Sequence, residues 1–274
     1  MKLSFVEPRA ELRPYVQSFW VFESPIGMPP TENSLAAPNG SPKLIIPYEN
    51  SITSIANGRV QESQEHGLYF VGNQDSATLL HTSPRNTGFI GIEFYPHGAY
   101  PIFGIPMAET ANRLLSADEL FNMWGRKVRD ALGDLNSAKE KIDFVQAQLV
   151  SRLEKKQLHN PIVEYCVQSL KATHGLMTIS ELERRTGYTR RYLEILFKNH
   201  VGLSPKVMAG IFRFQKFYRK WAQRRPYDEL KEELYDYYYD QPHFTKEFKR
   251  MTGFSPQRFT AEISNEFGRR LSLS

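Results

Sequence analysis

The chain of 274 residues carries 35 Lys and Arg against 30 Asp and Glu, a formal net charge of +5, with 41% hydrophobic and 13% aromatic residues. These values fit a globular protein with room for two cores and exclude a fibrous, low-complexity or disordered chain. The single cysteine, Cys166, excludes a disulfide framework or a cysteine-based zinc site within one chain.

The N-terminal stretch MKLSFVEPRAELRP has no sustained apolar region of the signal-peptide kind. No run approaches the ~18 apolar residues of a membrane span. The expectation is a soluble, cytoplasmic protein with no membrane partner.

Residues 1–107 read as a β-rich domain. The runs SFWVFES, PKLIIPY, SITSIA, GLYFVGN, SATLLHT and GFIGIEFYP are rich in Ile, Val, Phe and Tyr and are separated by Gly, Pro and Asn. Many short strands at this spacing suggest a sandwich or barrel, and a cupin-like jelly roll fits their number and the length. A small molecule in the barrel mouth would meet aromatic side chains. The candidates by position are Trp20, Tyr48, Phe94, Tyr95 and His97, with ordinary core and turn aromatics as the alternative reading.

A metal-dependent cupin-like enzyme is the weaker alternative, because His66, His81 and His97 are scattered and form no His-x-His pair. No phosphate-binding loop, dinucleotide glycine fingerprint, nucleophile elbow or Asp-rich metal loop is present, so neither catalysis nor a cofactor is expected.

From Ala108 the pattern turns helical, and residues 108–157 read as a helical linker. Ile142, Val145, Leu149 and Leu153 form an apolar seam that suits either a homodimer or packing on the chain's own barrel.

Residues 158–274 contain an approximate internal repeat. Leu193, Phe197, Lys198, Gly202, Ser204 and Pro205 are echoed at a spacing of 51 by Phe244, Phe248, Lys249, Gly253, Ser255 and Pro256. In each copy a glycine ends a helix and Ser-Pro starts the next. Ahead of the first copy, TISELERRTG offers Thr178 and Glu181 as a capping box, Gly187 as the stop, and Thr189 as the cap of the next helix. Helix, glycine turn and basic helix make a helix-turn-helix, whose second helix fits the major groove of DNA. A long helix from Ser204 to about Gln223 joins the copies. The positive charge gathers here, with 20 Lys and Arg against 13 Asp and Glu from residue 158 onward, while residues 1–157 hold 15 against 17. Binding to phosphates requires that sign.

GYTRRYLEILFKNHVGLSP and DQPHFTKEFKRMTGFSP resemble the AraC/XylS family of bacterial transcription regulators over residues 158 to 265. The resemblance implies an α+β multidomain protein. Its C-terminal all-α domain would hold two helix-turn-helix units joined by a long helix, and its N-terminal sandwich would be the sensor. It also implies double-stranded DNA and RNA polymerase as partners, with a small-molecule effector. Arg190, Arg191, Glu194 and Lys198 would line the first recognition helix, near 190–201. Gln241, Thr245, Lys246 and Lys249 would line the second, near 241–252.

The sequence departs from the family pattern at four positions. Glu183 and Glu233 stand where a small packed residue is usual, which predicts a burial cost. Tyr237 stands where the second turn expects glycine, which predicts strain at positive φ. Ile195 replaces a common arginine. These departures keep open a protein that retains the scaffold for ligand or protein binding without reading DNA.

Overall fold

The computed structural model describes residues 1–28, 34–156, 158–222, 236–256 and 258. Ten strands form two sheets. They are β1 (Lys2–Val6), β2 (Val16–Ser24), β3 (Ser34–Ala36), β4 (Lys43–Glu49), β5 (Ile52–Ala56), β6 (Arg59–Ser63), β7 (Tyr69–Val71), β8 (Thr78–His81), β9 (Thr87–Phe94) and β10 (Leu114–Ser116). The larger sheet runs β1-β2-β9-β4-β7-β10 and the smaller β3-β8-β5-β6, with every pairing antiparallel.

The strand β9 is buried at all eight positions, lying between β2 and β4 with both faces covered. Because side chains alternate, Ile90, Ile92 and Phe94 face one way and Phe89, Gly91 and Glu93 the other. The first set packs against helices, while Phe89 and its companions face the smaller sheet. Gly91 pairs with Trp20, and a Cβ there would stand 2.0 Å from the indole ring, so glycine is what lets Trp20 lie across the strand.

The helices on the outer face of the larger sheet are α1 (Ala99–Phe103), α2 (Ala117–Phe121), α3 (Met123–Gly133) and α4 (Ala138–Lys156). The stretch from Ala108, expected to be helical, first contributes β10 to the sheet. Ser116, the last residue of that strand, caps α2 by accepting from the Asp118 amide at 3.2 Å. The α4 seam packs inward. Ile142, Val145 and Leu149 are at most 2% exposed and Leu153 is partly buried, all against the core of the chain's own sheet. Each such burial is worth about 1.5–3 kcal/mol, so this face is committed within the chain rather than to a second copy. Lys141 on α4 donates at 2.5 Å to the carbonyls of both Leu132 and Leu135, satisfying acceptors at the end of α3.

The remaining described helices are α5 (Pro161–Ala172), α6 (Ile179–Thr186), α7 (Arg190–His200), α8 (Pro205–Ala222) and α9 (Gln241–Thr252). Asn160 caps α5, accepting from the amides of Ile162 and Val163 ahead of Pro161. Cys166 is fully buried on this helix, and burial pushes its thiol up to about 11. The expected connector is α8.

Its Arg213 makes a forked contact with Glu247 of α9, at 3.1 to 3.3 Å, and lies 5.1 Å from the ring centre of Tyr238. Gly210 stands one turn earlier on α8, and a Cβ there would meet a Glu247 carboxylate oxygen at 2.4 Å. A side chain there would push the Glu247 carboxylate from its place beside Arg213.

The helices also pack on the sandwich. Leu35 belongs to the helical core, with Ala37, Ala77, Leu79 and Ala111 packed against it. Gln215 donates to the Pro38 carbonyl at 2.7 Å, and Asn73 donates to the Val201 carbonyl at 2.8 Å, both buried. His200, at the end of α7, lies 4.0 Å from the ring of Tyr100, and burial pushes its imidazole down to about 4.

As pH falls from about 6.5 toward 4, unfolded His200 takes up a proton that the folded state refuses. Stability should therefore drop by on the order of 2–3 kcal/mol across that window. His97, also pushed down by burial, adds in the same direction. Urea midpoints against pH should show a shallower acid limb for His200→Phe than for the parent. Separately, Glu247→Ala leaves the buried Arg213 unpaired and should cost about 3 kcal/mol in calorimetric unfolding, and Gly210→Ala should destabilise by displacing the same carboxylate.

Candidate nucleic-acid interface and ligand cavity

The two helices expected to read DNA, α7 and α9, are built alike. Thr189 caps α7, its hydroxyl accepting from the Tyr192 amide at 3.4 Å, and Asp240 caps α9, accepting from the His243 amide at 2.7 Å. Leu193 and Phe197 are buried, as are their counterparts Phe244 and Phe248, so the repeat seen in the sequence is a repeat of packing. Gly187, Gly202 and Gly253 all take positive φ, closing α6, α7 and α9.

Opposite the buried stripes, the outward face of α7 centres on Arg191, Ile195 and Lys198, and that of α9 on Pro242, Lys246 and Lys249, all exposed. Glu194, Gln241 and Thr245 are half-buried on the flanks of these faces. Arg190 is exposed but held at 3.0 Å by Glu194 one turn on. The aromatic flank of α7, where Tyr188 and Tyr192 stack at 4.9 Å and are 39% and 42% exposed, was not anticipated from the sequence. Neither was a role for Ile195, 56% exposed, beyond that of a missing arginine. Large apolar side chains left in solvent on a basic helix were the available signal.

The departures resolve in three ways. Glu183 is half-buried, and its carboxylate accepts the Arg190 amide at 2.6 Å, so it satisfies an orphan N–H at the start of α7 and the expected burial cost is offset. Tyr237 does not take positive φ, and it packs against the helical core, so the predicted strain is absent. Glu233, with Arg224 and Arg225, lies outside the described residues. The capping box forms by half. Thr178 accepts the Glu181 amide at 3.1 Å, but the Glu181 carboxylate turns to Arg184 and Arg185, at 2.7 Å each. Those two guanidiniums hold Glu181 below the usual carboxylate range.

Between the two sheets lies a cavity of about 110 Å³. Trp20, Ile45, Val71 and Phe89 line it from the larger sheet, and Ile52 and Leu80 from the smaller. Of the candidate ligand residues, Trp20 lines this space and the other four do not. Phe94 points to the opposite face of the sheet and packs on Phe70 and Phe103. Tyr48 is half-buried, donating to Glu23 at 3.2 Å. Tyr95 and His97 stack on each other at 5.9 Å near α5, where the Lys171 ammonium lies 5.6 Å from the Tyr95 ring.

Lys43 also lines the cavity. Its ammonium donates to Asn39 at 3.0 Å and to the Ser41 carbonyl at 2.8 Å, with Glu93 at 3.7 Å, and burial pulls its pKa below the ordinary lysine value while Glu93 opposes the shift. Among the described residues, no group of three or more His, Cys, Asp or Glu is placed to hold a metal ion, and no helix is long and apolar enough to cross a membrane.

A family described as a domain of unknown function (DUF6597) matches residues 4–116, a span that ends with β10. No curated protein matches the chain. Among solved structures the chain is similar to ToxT from Vibrio cholerae O395, with 11% identity and a TM-score of 0.48, over 89% of this chain and 98% of that one. It is similar to the same protein bound to (E)-4-(8-methylnaphthalen-1-yl)but-3-enoic acid, with 13% identity and a TM-score of 0.47, over 89% and 99%. It is also similar to unsaturated fatty acid bound wild-type ToxT from Vibrio cholerae strain SCE256, with 10% identity and a TM-score of 0.47, over 90% and 98%. TM-scores below 0.5 at this identity carry no residue role across to this chain.

The tertiary cap on α7 is testable without any ligand. Glu183→Ala should lower stability by about 1 kcal/mol in urea titrations, and Glu183→Gln, which keeps an acceptor, by less. Equal losses for the two variants would mean that the carboxylate's hydrogen bond is not what counts.

Proposed function

We propose that the protein is a sequence-specific regulator of transcription that reads double-stranded DNA with α7 and α9 and takes a small-molecule effector in the sandwich cavity. The observation that carries this reading is the duplication. Two capped helices of the same construction, 51 residues apart, turn corresponding faces outward, and both faces carry lysine or arginine. Lys198, Lys246 and Lys249 are suited to phosphates, and Arg191 to a guanine edge. Ile195, one turn beyond Arg191, is suited to a thymine methyl group, which an apolar side chain reads in the major groove. Arg190, Gln241, Thr245 and Glu194 would act from the flanks, with Arg190 first released from Glu194.

Effector control is supported by the wall that the cavity shares with the helices. Pro38 lines the cavity and also accepts the hydrogen bond from Gln215 of α8, so a molecule that moves this loop would load the connector. RNA polymerase as a partner rests on the family resemblance alone. A homodimer would have to use a surface other than the α4 seam.

A second reading, a scaffold that binds ligand or protein without reading DNA sequence, is favoured by one observation. Two carboxylates, Glu183 and Glu194, occupy the start of α7 and engage the backbone and side chain of Arg190.

Selection from a random DNA library, followed by a salt series on the winner and on scrambled DNA, separates the two. A reader should prefer the winner by on the order of 10³-fold or more, and Arg191→Ala should cost about 1–3 kcal/mol on the winner while leaving scrambled DNA nearly unchanged. Equal and steeply salt-dependent binding to both DNAs would sink the regulator reading in favour of the second.

A further inference from the structure

Among the described residues the cavity between the sheets has one ionisable side chain in its lining, Lys43, and that group is already satisfied by the chain. An ammonium has three donors. Two are engaged by Asn39 and the Ser41 carbonyl, and the Glu93 carboxylate stands at 3.7 Å in the remaining direction. Glu93 is itself 4% exposed and accepts from the Asn39 side-chain amide at 2.5 Å, so Asn39 clamps both members of the pair. At 3.7 Å the ammonium and the carboxylate form an ion pair whose opposite charges cancel.

We propose that the cavity takes an uncharged, ring-sized molecule, and that Glu93 sets this selection by cancelling the charge of Lys43. The proposal rests on the reading above that the cavity is a ligand site. Size follows from the volume, since an apolar protein cavity of about 150 Å³ holds benzene, and the space here is about 110 Å³. Shape follows from the aromatic corner that Trp20 and Phe89 make, their rings meeting edge to face at 5.6 Å, against which a planar ring can lie.

Exclusion of ions follows from desolvation. A carboxylate entering the cavity would surrender its water, find the lysine donors taken, and stand near a second buried carboxylate. An organic cation would surrender its water beside an ammonium. A neutral ring loses little on entry and gains contact with the apolar walls.

Three probes of one ring size decide the matter by calorimetric titration of the full-length protein at pH 7: benzyl alcohol, benzoate and benzylamine. Benzyl alcohol should bind at least ~10-fold more tightly than either ion, because one buried, unpaired charge costs more than a factor of ten in affinity. Filling the space with Ser54→Phe should abolish its binding, which places it in this cavity. Glu93→Gln frees the lysine charge and should raise benzoate affinity ~10-fold relative to benzyl alcohol.

The wild-type ranking decides the preference for an uncharged molecule even if a variant fails to fold, and the Glu93→Gln ranking decides the role of Glu93. Benzoate or benzylamine binding as tightly as benzyl alcohol overturns the proposed neutrality. A Glu93→Gln protein that folds and keeps the wild-type ranking overturns the role of Glu93. No binding of any of the three overturns the ring-sized selection proposed here and leaves the reading of the cavity as a ligand site to other effectors. None of these titrations contains DNA, so each result is separate from the selection experiment.

Discussion

The helix α8 is the constraint on which the rest of the described structure hangs. Among the described side chains of this 18-residue helix only Lys206 and Arg219 are exposed, because three different partners cover it. One side packs with α5 and α7 in the helical core to which Met208, Ile211 and Phe214 belong. Another receives α9 through Gly210 and the Arg213–Glu247 contact, and a third reaches the sandwich through Gln215. A helix with this many apolar faces cannot stand alone in water, so its partners fold around it or not at all. Fitting a charged pair into that arrangement demands strict geometry. Arg213 and Glu247 are 18% and 10% exposed at the side chain, and a buried pair is favourable only with its hydrogen bonds made.

The electrostatics of α7 show how local competition shapes an interface. Its start carries the dipole and the orphan amides that attract anions. In this chain those amides are served by Thr189 and Glu183, and the first arginine is drawn back along the helix by Glu194. The outward face that remains mixes one arginine, one lysine and an exposed isoleucine with a stacked tyrosine pair. A surface of that kind depends less on long-range charge than a plain row of cations would, and more on shape and apolar contact.

The sandwich handles charge in the opposite manner, by closing it. Lys43 and Glu93 sit next to an apolar space, yet with Asn39 they form a unit that offers the cavity little net field. The same alternation of side chains that puts Glu93 and Phe89 on the cavity side of β9 sends Ile90, Ile92 and Phe94 to the helix-covered face. A single strand therefore builds both a core and a cavity wall.

How far the chain could be read in advance follows from where its signals are written. The strands marked by composition correspond to β2, β4, β5, β7, β8 and β9, which all lie inside a sheet, where burial imposes a dense apolar pattern. Those left unmarked are β1, β10, β3 and β6, the four sheet edges, whose described positions are exposed or half-buried apart from Leu35 and Ser63 and carry little pattern. Helix stops, caps and the 51-residue repeat were legible because they are local chemistry: a glycine at positive φ, a hydroxyl or carboxylate three residues before an amide, a proline in the first turn. Fold class, the repeat of two capped helices and the candidate reading helices were therefore written in the order of residues. Long-range packing decided that the α4 seam faces inward, that Glu183 caps a helix start seven residues away, that Phe94 faces away from the cavity while Trp20 lines it, and that Lys43 meets Glu93. Each of these is a contact between separate elements or a choice between two faces, and neither leaves a local periodic mark.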